Sequence, residues 1–201
     1  MQYNITCAVL AGGKATRMDG ANKALIQVGQ DTNLDKMIEL GKMIFSEVIL
    51  VTNNPEPFCA YQGIRIVSDI IQDIGPLAGI HSALYHAECP AVFLFACDMP
   101  FINPQLVKAE IAAFESSNCD ILIPRINDFF EPLHSLYRKS VLTKLEDHIR
   151  NMDNYSIRAF FNKVNSYYWD LADTEENRRA FSNINTHHDY KKALETIYAK
   201  G

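Results

Sequence analysis

One stretch near the start constrains the chain most: Ile5-Thr6-Cys7-Ala8-Val9-Leu10-Ala11-Gly12-Gly13-Lys14. Ile5 to Leu10 is an apolar, β-branched run of the length a buried central strand needs. It stops at Ala11-Gly12-Gly13. Small residues there let the backbone approach a ligand, and glycine tolerates positive φ at little cost. Successive N–H groups in such a bend form an anion-binding concavity. Lys14, Arg17 and Lys23 add three cations within one short loop. The combination reads as a site for a nucleoside triphosphate. An ordinary strand-to-helix turn with a solvated cationic face is the competing reading, and the residues alone leave both open.

Two common phosphate loops are excluded. No G-x-x-x-x-G-K-[ST] occurs, and no G-x-G-x-x-G opens a helix after the strand. The net charge of −5 gives no global field to attract nucleic acid or an anionic membrane, so neither is expected as a partner. An anionic substrate must therefore be held by local cations such as those of the first loop. No run approaches the ~20 apolar residues of a membrane helix, and the N-terminus enters a strand directly, without a signal peptide. The five cysteines form no C-x-x-C pair. An odd set of scattered thiols points to a reducing, cytoplasmic setting, not to a zinc site or a disulfide frame. At 201 residues a single domain is expected.

Along the chain, Asn22 to Val28 reads as a short extended segment. A helix is predicted from Thr32 or Asn33 to Phe45, then a buried strand over Glu47 to Thr52 and a turn at Asn53-Asn54-Pro55. Ile64 to Val67 is a third strand, ending at Asp69. Gly75-Pro76-Leu77-Ala78-Gly79 opens a helix to about His86. The small residues of that segment fit close approach of a flat ligand or of a neighbouring element. Ala91 to Cys97 is the strongest strand, and Asp98 follows it. A carboxylate at the carboxyl end of a central parallel strand sits where open α/β sheets bind ligands. Asn103-Pro104 is the better cap and first-turn pair for the next helix, which runs to about Glu115. Asp98 is therefore read as a metal ligand before a cap.

Up to this point strands and helices alternate, which predicts an α/β, mostly parallel sheet with helices on both faces. The second half departs from that pattern. Asp120 to Pro124 and Glu131 to Tyr137 read as strands joined by a short turn-like link, Arg125 to Phe130. An antiparallel addition to the sheet is expected there. Helices over Ser140 to Ile149 and Ser156 to Phe161 follow, then an extended aromatic segment from Val164 to Leu171. Phe181 to Thr186 is a short strand or loop, and a last helix runs from about His188 to Ala199.

These residues, in order, resemble the molybdenum cofactor guanylyltransferases, the MobA family within the Rossmann-like nucleotidyltransferases. The resemblance rests on Leu10-Ala11-Gly12-Gly13 with Arg17-Met18, Lys23, Asp69, Gly75-Pro76-Leu77-Ala78-Gly79 and Cys97-Asp98-Met99-Pro100-Phe101. Glu131-Pro132-Leu133-His134 and Asn183-Ile184-Asn185-Thr186 continue it through the second half. It implies transfer of GMP from GTP to the terminal phosphate of molybdopterin, with Mg2+ as cofactor and pyrophosphate as the leaving product. It also implies that Leu10, Ala11, Gly12 and Gly13 line the nucleotide, Lys23 holds its phosphates, Asp69 lies beside the nucleoside and Asp98 binds the metal. Asn185 is a further candidate metal ligand. The family carries Asn near the end of the second strand. Here the sequence is Val51-Thr52-Asn53-Asn54, and Asn53 is the candidate for that contact. Lys14, Arg17 and Lys23 would neutralise the leaving pyrophosphate beside Asp98. The pathway leaves room for transient contact with other cofactor-biosynthesis proteins. Competing readings keep the chemistry with another nucleotide or acceptor, or make the chain a non-catalytic GTP-binding regulator.

Overall fold

The computed structural model describes residues 2–12, 17–18, 21–151 and 155–198, with the backbone alone at 17, 18, 21–23 and 28. Eight strands make the main sheet. They are β1 (Tyr3–Leu10), β2 (Phe45–Val51), β3 (Arg65–Val67), β4 (Ala91–Ala96), β5 (Ile121–Ile126), β6 (Phe129–Phe130), β7 (His134–Arg138) and β8 (Ser166–Asp170). The helices are α1 (Asn33–Ile44), α2 (Pro76–His86), α3 (Pro104–Ser116), α4 (Leu142–Arg150), α5 (Ile157–Phe161), α6 (Glu175–Ala180) and α7 (His187–Tyr198).

β1 is central, as its apolar run requires. It pairs parallel with β2 (Leu10 opposite Val51) and parallel with β4 (Leu10 opposite Ala96). β3 extends the parallel set beyond β2. On the other side β7 runs antiparallel to β4, with His134 opposite Phe95. β5 is antiparallel to β7 and parallel to β8. The expected sheet is present, and its antiparallel element is β7 with the short β6.

Alternation along β1 sends its side chains to two cores. Cys7 and Val9 join Leu34 and Met37 of α1 and Val107 and Ile111 of α3. Ala8 joins Leu77 and Ile80 of α2 and Leu145 of α4 on the opposite face. Both faces are covered, which is why β4 is buried at every residue. Local chemistry sets the helix ends. Thr32 caps α1 in a reciprocal box with Asp35, each satisfying an amide of the other. Asn103 accepts from the Gln105 and Leu106 amides at 2.9 and 3.3 Å and caps α3, as predicted.

Several boundaries differ from the sequence reading. The segment before α1 is not simply extended. A 3-10 turn at Lys23–Leu25 separates two small ribbons, Arg17–Met18 with Ala21–Asn22 and Gln27–Val28 with Asp31–Thr32. The link between β5 and β7 is mostly strand, because its reversal needs only Asn127 and Asp128, with Asn127 at φ 53°. Asn tolerates that left-handed conformation better than most residues. α6 was not foreseen. Its signal is Thr174, whose hydroxyl accepts from the Asn177 amide, with Glu175 and Glu176 in the first turn and Arg178 and Arg179 in the last.

Candidate active site

The carboxyl ends of β1, β2, β3 and β4 lie side by side, and the loops leaving them meet there. The Ala11 amide donates to the Val51 carbonyl at 2.9 Å, and the Cys97 amide donates to the Leu10 carbonyl at 3.1 Å. These two bonds lock the end of β1 between its neighbours. They set the bend at Gly12 one strand away from Asp98.

Gly12 is not in the left-handed region. A Cβ built there would lie 3.9 Å from Asp69 Oδ2 and 3.9 Å from the Val51 carbonyl, which is ordinary contact. Among the described residues neither backbone strain nor protein packing therefore demands glycine at 12, and its backbone is exposed beside Asp69. Gly79 is different. A Cβ there would meet Leu10 Cδ1 at 3.1 Å, so α2 closes directly onto the end of β1. Of the two readings of that small-residue segment, the neighbouring-element one holds for Gly79.

Asn53 and Asp69, 16 residues apart, form a reciprocal pair. Asn53 Nδ2 donates to Asp69 Oδ2 at 2.8 Å, and the Asp69 amide donates to Asn53 Oδ1 at 2.9 Å. The pair fixes Asp69 beside Gly12. Its second oxygen, Oδ1, is buried with no hydrogen-bond partner among the described residues. An orphaned acceptor in a cleft is costly unless a ligand donor completes it.

Asp98 is half-buried at the end of β4. Its carbonyl accepts from the Ile184 amide at 2.8 Å, which brings the Asn183–Thr186 segment to the same place. Asn185 is exposed there, and its amide and that of Thr186 are held by Asp189 at 3.0 and 2.8 Å. Asn183 Oδ1 is a second buried acceptor with no partner among the described residues. Gly13 and Lys14 lie outside the described residues, as do the side chains of Arg17 and Lys23.

Two site residues were given no role by the sequence reading, although Glu131 stands in one of the motifs quoted there. Asn33, only 2% exposed at the start of α1, donates from Nδ2 to the Cys97 carbonyl at 2.7 Å and so holds the residue before Asp98. A polar side chain one place inside a Thr cap, where an apolar residue would do, was the available signal. Glu131 is the other. It is buried where the chain enters β7, and its Oε1 accepts from the Leu133 amide at 3.3 Å. Burial raises its carboxyl above the ordinary range, the Leu133 amide and His134 oppose this, and the charge of Asp98 adds to the rise. Among the described residues no cluster of three His, Cys, Asp or Glu could hold a metal. Asp98, with Glu131 within its field, has the donor chemistry for a hard divalent cation that takes only one or two protein carboxylates.

A glycine bend, an Asn–Asp pair and a strand-end carboxylate at one edge of a Rossmann-like sheet define a nucleotidyltransferase. The MobA-like NTP transferase domain model matches residues 7–166, and the chain belongs to that family. It is 33% identical to a "Probable molybdenum cofactor guanylyltransferase" of Clostridium perfringens strain 13, covering 94% of this chain and 96% of that protein. It is 32% identical to a molybdenum cofactor guanylyltransferase of Syntrophotalea carbinolica over 93% of this chain and 89% of that protein. The crystal structure of molybdopterin-guanine dinucleotide biosynthesis protein A from Archaeoglobus fulgidus superposes with a TM-score of 0.81 at 28% identity, covering 98% of this chain and all of that one. Among the described residues no helix is long and apolar enough to cross a membrane.

Proposed function

We propose that the chain transfers GMP from GTP to the terminal phosphate of molybdopterin. An acceptor phosphate oxygen attacks the α-phosphorus of GTP. The bond from that phosphorus to the bridging oxygen breaks, and pyrophosphate leaves with the electron pair. The attacking oxygen is already ionised at neutral pH, so no general base is required, and catalysis reduces to positioning and charge stabilisation. The observation that carries this reading is the locking of the Gly12 bend against Asp98 through the Cys97–Leu10 bond.

Each half of the site has a role. Leu10, Ala11, Gly12 and Gly13 line the triphosphate, and the Asn53–Asp69 pair lies beside the nucleoside. Lys14, Arg17 and Lys23 neutralise the leaving pyrophosphate. Asp98 would hold Mg2+, with Asn185 completing its shell. Bound there, the ion would withdraw charge from the phosphate oxygens. Asn33 keeps Asp98 in register with the bend.

The test is pyrophosphate release by the full chain with Mg2+, molybdopterin and each of GTP, CTP, ATP and UTP. Release with GTP well above the others is expected. Release only with CTP, or with no nucleotide, would overturn the reading.

A further inference from the structure

The last helix, α7, is held by a small core of its own. Ile26, Ile184 and Ala193 form a buried cluster apart from the two that flank the sheet, with Tyr190, Ile197 and Phe101 packed against it. Tyr190, Ala193 and Ile197 recur at i, i+3 and i+7, one stripe of the helix, and Ala193 is its buried residue. Neither flanking core contains a residue of α7. A unit held by so few buried side chains opens at a smaller free energy than the sheet does, and its opening leaves the sheet intact.

The cluster joins two parts of the site. On one side, Ile26 follows the 3-10 turn Lys23–Leu25. Ala24 in that turn joins the core shared with Leu34 of α1, whereas Ile26 joins the cluster under α7. Tyr190 Oη donates to the Gln27 carbonyl at 2.9 Å and holds the same segment from outside. On the other side, the Ile184 amide donates to the Asp98 carbonyl at 2.8 Å. The step from Ile184 into α7 is fixed by a capping box. Asp189 Oδ2 accepts from the Asn185 and Thr186 amides, and the Asp189 amide donates to Thr186 Oγ1 at 3.2 Å. One helix therefore holds the segment after Lys23 and the end of β4 together.

On the transferase reading above, on which this inference rests, those two places serve one ligand. Lys23 meets the leaving phosphates of a nucleoside triphosphate, and Asp98 meets its cation. The geometry points to α7 as a clamp that sets the spacing of these two groups and closes on the metal-bound triphosphate. A triphosphate that spans both groups binds the closed helix better than the open one, because only the closed helix keeps them at one spacing. Closure and binding then strengthen each other by the same factor. Tyr190 and Ala193 are positioning residues on this account.

Hydrogen exchange of the full chain separates a clamp from a helix that only covers the turn. The hydrogen-bonded amides of α7 should exchange by local opening in the free protein. With GTP and Mg2+ at ~100 times Kd they should slow at least tenfold, where linkage permits ~100-fold. GMP with Mg2+ at the same occupancy should slow them less than threefold. Tyr190→Phe should speed α7 exchange in the free protein about threefold to tenfold, the scale of one lost hydrogen bond. Ala193→Asp sets a charge in the cluster, and should weaken GTP binding at least tenfold while the β1 and β4 amides stay protected. Exchange of α7 unmoved by GTP and Mg2+, equal slowing by GMP, or wild-type GTP affinity in Ala193→Asp would each overturn the clamp. If Ala193→Asp does not fold, the comparison of GTP with GMP on the wild type decides alone. Wild-type protein whose α7 closes on GTP but which releases no pyrophosphate with molybdopterin would refute the transferase reading alone. Pyrophosphate release with α7 exchange unchanged would refute the clamp alone.

Discussion

Asn33→Ala tests whether Asp98 is held in place from α1. The bond from Asn33 Nδ2 to the Cys97 carbonyl is short, at 2.7 Å, and buried. Removing the donor leaves that carbonyl in the core without it, which costs about 1–3 kcal/mol. Alanine returns about 0.7 kcal/mol through its higher helix propensity. The net loss is about 1.3 kcal/mol, or ~3–5 °C in Tm for a chain of this size. The effect on catalysis should be larger than that on stability. A displacement on the order of 1 Å at Asp98 is enough to cost ~100-fold, so kcat should fall at least tenfold at 25 °C, where the protein remains folded. Thr32→Ala is the control. It removes the cap of the same helix at a cost of ~1 kcal/mol and leaves the Cys97 bond in place. Urea unfolding and pyrophosphate release should be measured on both variants. Equal losses of activity, or Asn33→Ala retaining kcat within twofold, would show that Asn33 serves only the fold.

Asp98→Ala should reduce turnover at least ~100-fold, the scale of losing a principal electrostatic contributor, with the Tm within a few degrees of wild type; near-normal pyrophosphate release would remove Asp98 from the site. Gly79→Ala sets a helix-propensity gain of ~1 kcal/mol against ~1–3 kcal/mol of overpacking on Leu10, and should destabilise slightly while raising KM for GTP; an unchanged KM would mean that Leu10 does not set the nucleotide site. Burial raises the Glu110 carboxyl against the opposing pull of His134, 3.1 Å away and likewise fully buried. Folded protein therefore keeps that proton where the unfolded chain has lost it. The resulting stabilisation is complete below the unfolded-state value of ~4.3 and fades as pH rises through the higher folded value. Wild type should lose ground to Glu110→Gln across that interval in urea unfolding, and a pH-independent difference between them would contradict the assignment.

What could be read from the sequence was what local chemistry dictates. The apolar run of β1, the Asn103-Pro104 start of α3 and the carboxylate after β4 each announce themselves within a few residues. Asn53 and Asp69 were both legible as ends of strands. Their mutual pairing was not, because it depends on β2 and β3 lying adjacent and in register. Asn33 could not be tied to Cys97 for the same reason: 64 residues separate the partners, and only the packing of α1 under the sheet brings them together. Glycine was legible as a residue type and ambiguous as a cause. The same absence of a side chain serves helix-to-strand contact at 79, and at 12 leaves an exposed backbone beside Asp69.

The reversal of β7 explains why both halves of the chain reach one edge. A sheet built only of parallel strands delivers to that edge the residues that leave its strands. An antiparallel strand delivers the residues that enter it. His134 opposite Phe95 places the entry to β7, and with it Glu131 and Leu133, at the carboxyl end of β4, where the Ala96 amide donates to the Leu133 carbonyl at 2.9 Å. The β5–β6 turn is carried to the same edge, because β5 points the opposite way from β7. One direction change thus sets a buried carboxylate and an aromatic turn across Asp98 from the glycine bend. On the proposed reaction, the two polyanionic substrates would then approach from opposite sides of one carboxylate.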